Sequence, residues 1–478
     1  MTRVLEGLKP EKVFYYFEEI SQIPRGSGNE KQISDYLYNL AKSKGWDVIQ
    51  DDYLNIIIRK PATSGYENAP TVMLQGHMDM VCEKNEGIDH DFEKDPIKLR
   101  IIDGNIYATE TTLGADNGIA VAYALAILDS DDLPHPALEV LITSDEEKGM
   151  TGAENVDGSI FKSKYLLNLD SEEEGVFTCG CAGGCEIKFR IPVEYQNTKK
   201  HAFKLTVKGL TGGHSGTDIH KEKGNANKIL GRILYDIYDI IDLVNINGGS
   251  KGNAIPREAK AVITSDNIEE LKSKVLEWNG ILKNEYSFTD SAVALLLEDL
   301  NNEVAPLHKD VFKKVINAIN LIPNGVLSRS TAIDLVISSN NLGVITQDEQ
   351  YIMLYNQARS SVKTLMTNNI APIMKQIGEA LSIECIVGGF YPGWEYAKES
   401  EIRNICIDTF KDMYGREPVV GAIHAGLECG LLMEKISGLD SISLGPDAYD
   451  VHSPNEHISI ESTENVFNLL CNILKKIK

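Results

Sequence analysis

Apolar residues return every three or four positions over residues 11–20 and again over 30–44, which predicts two amphipathic helices. Thr71-Val72-Met73-Leu74-Gln75-Gly76 then reads as a strand, residues 117–128 as a helix, and residues 138–143 and 165–169 as two further strands. Such alternation predicts an α/β sheet with helices on its faces. The pattern changes after the glycine-rich segment at 180–184. Residues 201–208 alternate like a strand with one exposed face, and longer helices and strands follow to about residue 388. A helix over 402–414, a strand over 441–444 and a helix over 462–476 then return to the alternation of the first 180 residues. The whole predicts a discontinuous mixed-sheet α/β domain, residues 1–184 and 391–478, with an inserted α+β domain at 185–390. Insertion at an exposed loop is tolerated because domain termini often lie close together.

Composition narrows this picture without changing it. The 478 residues suffice for two or three domains, and 42% apolar with 24% charged residues is ordinary globular usage. The longest nearly apolar run, 119–128, is too short to span a bilayer, and the acidic and polar start of the chain does not read as a secretory signal. A cytoplasmic location is expected. The net charge of −23 argues against nucleic acid or an anionic membrane as partner, because both attract clustered Lys and Arg. Eight scattered cysteines in so long a chain are expected to be reduced thiols. Cys179, Cys181 and Cys185 lack paired C-x-x-C spacing and a nearby histidine, so they read as part of a glycine-rich turn between strands rather than a zinc site.

Five segments carry metal-type ligands near predicted strand ends or a helix start. In Gly76-His77-Met78-Asp79 the period of two puts His77 and Asp79 on one side of an extended chain, where Asp79 can accept the second ring N–H of His77. Leu113-Gly114-Ala115-Asp116-Asn117-Gly118 is an acidic turn entering a helix; alone it reads more readily as an ordinary helix cap. Thr143-Ser144-Asp145-Glu146-Glu147 and Asn168-Leu169-Asp170 end strands, and Asp450-Val451-His452-Ser453-Pro454-Asn455-Glu456 follows another. Each has a bland reading by itself, as a solvated loop or a cap. Together they fall where α/β folds gather ligands, outside the carboxyl ends of strands. Two imidazoles with several carboxylates suit borderline divalent ions, and two metals sharing one carboxylate would fit the ligand count. A pair of ions can hold a bridging water and polarise a carbonyl, which is the equipment for hydrolysis.

These motifs resemble the M20 metallopeptidase family, in its aminoacyl-histidine dipeptidase branch, over essentially the whole chain. Gly212-Gly213-His214-Ser215-Gly216 and Ile423-His424-Ala425-Gly426-Leu427-Glu428-Cys429-Gly430 match as well. The resemblance implies a zinc-peptidase catalytic domain with helices on both faces and an inserted lid. It implies two divalent ions, with Zn²⁺ expected and Co²⁺ or Mn²⁺ as alternatives. Asp116 would bridge them, His77 and Asp170 completing one and Glu147 and His452 the other. It also implies a cis peptide between Asp116 and Asn117. Asp79 would orient His77, and Glu146 would be the general base. Glu146 and Glu147, as neighbours on a strand end, are expected to diverge and so to do different jobs.

In the inserted domain the resemblance makes His214 the donor that stabilises the tetrahedral oxyanion. It gives Arg359 and Asn253 the substrate carboxylate, since a guanidinium suits bidentate carboxylate binding. His424, Gly426 and Glu428 would line the substrate pocket, with Glu428 receiving the free ammonium. The large inserted domain favours delivery of His214 within one chain and leaves a homodimer open. The implied activity is hydrolysis of unblocked dipeptides, including Xaa-His; an N-acyl-amino-acid deacylase and a catalytically silent peptide-binding protein are the alternatives.

Overall fold

The computed structural model describes residues 3–331 and 335–478. The chain forms two compact units, one made of Met1–Gly180, Tyr396–Ala422 and Leu427–Lys478, the other of Cys181–Glu395 and Ile423–Gly426. The first break lies four residues before the expected one, because Gly183 already begins the strand Gly183–Pro192 of the second unit. The second break falls after residue 390 because Trp394 pairs with Cys181 through a backbone bridge. The return of 423–426 to the second unit has no counterpart in the sequence pattern.

The first unit is built on an eight-stranded sheet in the order Asp47–Gln50, Ile56–Lys60, Leu138–Thr143, Val72–His77, Tyr165–Asn168, Asp440–Ser443, Val176–Cys181, Val419–Ile423. Val72–His77 runs parallel to both Leu138–Thr143 and Tyr165–Asn168, and Asp440–Ser443 runs parallel to Tyr165–Asn168. Ile56–Lys60 runs antiparallel to Asp47–Gln50 and to Leu138–Thr143, and Val176–Cys181 antiparallel to Asp440–Ser443, so the sheet is mixed. Every residue of the three central strands is buried, as expected where a parallel sheet is covered on both faces. Val72, Leu74, Val140, Ile142 and Leu167 share one core with Glu11–Ser21, Ala115–Leu128 and Ile460–Lys476. Helix Ala115–Leu128 buries every residue but Asp116, which explains its all-round apolar sequence. A four-stranded sheet, Ala448–Tyr449, His457–Ser459, Asn105–Ala108, Leu99–Ile102, pairs Tyr449 with His457 and so closes residues 450–456 into a hairpin loop.

The second unit is a nine-stranded antiparallel sheet with its own core. Burial alternates along Gly183–Pro192 and Tyr351–Ser360, and the inward set, including Ile187, Phe189, Ile191, Ile352 and Leu354, packs in one cluster with helices Ala226–Asp236 and Lys309–Leu321. The glycine-rich segment at 180–184 is not the expected turn: it belongs to strands Val176–Cys181 and Gly183–Pro192. Its glycines mark close approach instead. A Cβ on Gly183 would stand 2.4 Å from Gly393 N, and one on Gly184 would stand 2.5 Å from Tyr391 Oη.

Candidate functional site

The parallel register brings the ends of three strands level, with His77 opposite Thr143 and Gln75 opposite Asn168. His77, the buried last residue of its strand, has Nε2 3.1 Å from Asp116 Oδ1 and 3.5 Å from Asp170 Oδ1. The other oxygen of Asp116, Oδ2, lies 3.1 Å from His452 Nε2, which is 3.0 Å from Glu147 Oε1. Asp116 thus turns one oxygen toward each histidine. Potential ligand atoms lie within 4.8 Å of one another in the sets His77, Asp116, Asp170 and Asp116, Glu147, His452, with an overlapping set of His77, Glu146 and Glu147. Imidazole and carboxylate donors in these sets fit borderline divalent cations.

Local structure explains how Asp116 gets there. The peptide joining Asp116 to Asn117 is cis. Asn117 Oδ1 accepts from the His77 amide at 3.2 Å, and its Nδ2 donates to Leu169 O at 2.8 Å, tying the helix start to two ligand-bearing strands. Gly76 allows that approach, because a Cβ there would stand 2.3 Å from Asn117 Oδ1 and 2.4 Å from Ala120 Cβ. Glu146 and Glu147 open the short helix Glu146–Gly149 rather than sitting on a strand end, so their divergence comes from helical rotation and not from the pleat. Glu146 Oε2 lies 3.9 Å from His77 Nε2.

The electrostatics follow from packing so many charges together. Asp79 is buried, which raises its pKa, but bonds from His77, from Ser27 Oγ at 2.8 Å and from the Glu146 amide at 3.0 Å outweigh burial and hold it at about 2. It also accepts from the Glu147 amide at 3.3 Å, so one carboxylate fixes both His77 and the two-glutamate turn. Burial lowers the His77 pKa, yet Asp170, Asp116 and Asp79 drive it well above the ordinary value. His452, bonded to Asp116 and Glu147, is pushed up to about 11. Asp170 is raised to about 6 by burial, against the pull of His77. Burial raises Glu146 well above a normal glutamate, with Asp170, Glu428 and Glu147 adding to it and His77 opposing.

Two supports escape a reading of the sequence. Glu456 is buried and accepts from the backbone amides of Leu113 at 2.7 Å, Gly114 at 3.0 Å, Ala115 at 2.7 Å and Asp116 at 3.4 Å. Arg25, 2% exposed, donates to Met78 O at 3.0 Å and Asp79 O at 3.3 Å and also reaches Gly114 O. Gly114 has φ +70° and, like Gly118, could not carry a Cβ beside that guanidinium, which would be 2.5 and 2.6 Å away respectively. Glu456 stands in the same motif as His452, a signal that could have found it; Arg25 lies in a loop with none. Glu428, expected to meet a substrate ammonium, is fully buried. Its Oε2 accepts from Gln75 Nε2 at 2.5 Å and Thr143 Oγ1 at 2.7 Å, and burial raises it to about 7. Oε2 thus braces strands Val72–His77 and Leu138–Thr143, while Oε1 is buried without a partner.

The second unit gathers its own polar set. His214 Nδ1 accepts from the amides of Gly216 at 3.3 Å and Thr217 at 3.1 Å, so the neutral ring carries its proton on Nε2. Burial and the Arg359 charge lower its pKa and keep it neutral. Arg359 is 5% exposed, its Nε has no partner, and it makes no ion pair among the described residues. His424 Nε2 lies 2.7 Å from Ser339 Oγ, and burial with the nearby Arg359 lowers its pKa to about 3. A Cβ on Gly216 would stand 2.2 Å from His424 O and 3.2 Å from Arg359 Nε, which puts these groups side by side. Asn253 is exposed and its carbonyl accepts from Ser215 N at 2.8 Å; Gly426 closes the segment 423–426.

No helix among the described residues is long and apolar enough to cross a membrane. A curated relative, the cytosol non-specific dipeptidase of Escherichia coli (strain K12), is 40% identical over 483 residues, covering 99% of each chain. The crystal structure of aminoacylhistidine dipeptidase from Vibrio alginolyticus matches with a TM-score of 0.90 and 36% identity, over 99% of this chain and 98% of that one. Aminopeptidase PepT from Bacillus cereus shares the fold, with a TM-score of 0.58 and 17% identity over 98% of this chain and 99% of that one. The model of Peptidase family M20/M25/M40 matches residues 73–476, and with the full-length relatives this establishes that the chain belongs to that family.

Proposed function

We propose that the chain is a metal-dependent dipeptidase that hydrolyses the peptide bond of unblocked dipeptides, Xaa-His among them. The reading rests on the two-sided placement of Asp116 between His77 and His452, on a chain 40% identical over its length to a relative named as a dipeptidase. His77, Asp116 and Asp170 would hold one divalent ion and Asp116, Glu147 and His452 a second; Zn²⁺ is the proposed metal, with Co²⁺ and Mn²⁺ as alternatives. Bound ions would supply Lewis-acid polarisation of the scissile carbonyl and acidify the attacking water. Glu146 takes the proton of that water on its carboxylate and returns it to the departing amine. Asp79 orients His77 by accepting from its Nδ1–H, with the Asp79 carbonyl oxygen 3.2 Å and its Oδ1 3.3 Å away.

His214, with its proton on Nε2, offers a neutral donor to the oxyanion. Arg359 receives the substrate's free carboxylate, with Asn253 as a neutral donor and His424 and Gly426 as pocket residues. The support for this is physical: a buried guanidinium without an anion is costly, and a bound carboxylate would complete it. The same reading places the protein in the cytoplasm, as the name of the E. coli relative says of that protein. Sedimentation velocity would distinguish a monomer from a homodimer.

A hydrolysis panel of free and N-acylated dipeptides tests the proposal. We expect cleavage of the free forms, abolished by chelation. Exclusive cleavage of acylated forms would instead identify an N-acyl-amino-acid deacylase. Glu146→Gln should lose about 10²–10⁴-fold in kcat with metal binding kept. Unchanged turnover would remove the base assignment, and no turnover of any substrate by the metal-loaded wild type would favour a silent peptide-binding protein.

A further inference from the structure

Four neighbouring strands of the second unit carry one transverse row of residues. Ser339 pairs with Arg359, Arg359 with Gly184, and Gly184 with Tyr391. Residues directly opposite on adjacent strands present their side chains on the same face. Gly184 therefore leaves a gap between Arg359 and Tyr391. The Tyr391 ring fills it: a Cβ on Gly184 would meet Oη at 2.5 Å, Cζ at 2.6 Å and Cε1 at 2.7 Å. Lying across the glycine, the ring brings its hydroxyl to Arg359 Nη1, which donates to it at 2.9 Å. At the other end of the row Ser339 Oγ meets His424 Nε2 at 2.7 Å.

The hydrogen-bond roles in this row are constrained. A guanidinium can only donate, so the bond to Tyr391 occupies a lone pair of the phenol, and among the described residues none accepts from its O–H. Arg359 Nε is buried without a partner, and no carboxylate pairs with this guanidinium among the described residues. Burial raises the Tyr391 pKa, so the phenol keeps its proton near neutrality. A carboxylate paired with the guanidinium on its Nη1 side would lie beside the Tyr391 hydroxyl, 2.9 Å from Nη1, and offer its second oxygen to the phenol O–H.

We propose that Tyr391 is a specificity-determining residue: its hydroxyl, placed over Gly184 and held by Arg359, donates to the free carboxylate of the dipeptide. This rests on the reading of Arg359 as the carboxylate partner and adds a second donor to it. Tyr391 so placed selects against substrates whose C-terminus is amidated or extended. A neutral amide cannot replace the charged acceptor that both donors face.

The test compares metal-loaded wild type and Tyr391→Phe on a dipeptide and on the same dipeptide with a C-terminal amide. For the free acid, Tyr391→Phe should raise KM about tenfold with kcat nearly unchanged, the loss expected of one hydrogen bond to a charged group. For the amide, kcat/KM should not move, so the acid-to-amide preference falls about tenfold. Gly184→Ala, which pushes the ring aside, should erode the same preference. If Tyr391→Phe keeps the wild-type preference, or lowers both substrates equally, the assignment of Tyr391 is overturned while the dipeptidase reading stands. If the wild type shows no preference for the free acid, the carboxylate reading of Arg359 fails with it. If the wild type cleaves neither substrate, the dipeptidase reading itself fails.

Discussion

At the scale of single residues, Glu456 decides where Asp116 can point. One buried carboxylate takes the amides of four consecutive residues, and the last of these is Asp116 itself. In Glu456→Gln one acceptor oxygen becomes an NH₂ facing two N–H donors, so the loop must turn away. We expect divalent-metal affinity to fall about 10–100-fold, the usual effect of removing a group that orients ligands. Competition against a chromophoric chelator measures this, alongside a thermal melt of the metal-free protein to separate loop placement from general instability. The two histidines carry a second prediction. Asp116 and Glu147 push His452 to about 11, and Asp170 with Asp116 raises His77, so both rings are protonated near pH 7 before metal arrives. A metal must expel those protons. Titration calorimetry in buffers of different ionisation enthalpy should report release of about two protons, and apparent affinity should fall as pH falls.

At the scale of elements, the start of helix Ala115–Leu128 is held against the end of strand Val72–His77 by an approach that only glycine permits. Gly76→Ala puts a methyl 2.3 Å from Asn117 Oδ1 and 2.4 Å from Ala120 Cβ, with backbone-anchored atoms on the other side. Overpacking of this kind costs about 1–3 kcal/mol, and a urea melt should show it together with weakened metal binding as Asp116 shifts. Why such elements are legible in the sequence is itself physical. Val72–His77 and Leu138–Thr143 announce themselves as short apolar runs, and helix 401–414 by its periodicity, because burial writes period and length into the chain. Cys179 to Cys185 mislead because glycine in a strand and glycine in a turn look alike; what distinguishes them is a neighbouring backbone or ring, here residues 391–393, some two hundred positions away. The same distance hides Arg25, whose acceptors at Met78, Asp79 and Gly114 belong to other segments. His77, Asp116 and His452 can be found because each sits in a short stretch rich in ligand types. Tyr391 cannot, since its partner across the sheet, Gly184, has no side chain to betray the contact.

At the scale of the whole chain, the two units have separate cores, and every residue expected to hold metal lies in the first. Asp79, Asp116, Glu146, Glu147 and Asp170 crowd around two histidines there, so that unit holds carboxylates in mutual repulsion that a cation would relieve. A ligand that binds only the folded form stabilises it by mass action, by about 2.7 kcal/mol at a hundred times its Kd. For a unit of this size that is a rise of roughly 5–11 °C in its melting transition. Among the described residues the second unit contributes no member of these ligand sets, and its antiparallel sheet and core should melt where they did before. Differential scanning calorimetry with and without Zn²⁺ should therefore move one component of the endotherm, and limited proteolysis along the melt should assign the moved component to the segments 1–180, 396–422 and 427–478. His452→Asn, which removes the ring beside Asp116 Oδ2 and Glu147 Oε1, should cut the shift by the affinity it removes. A metal-induced shift of the second unit's component instead, or none at all, would mean that the cluster around Asp116 is not where the ion binds.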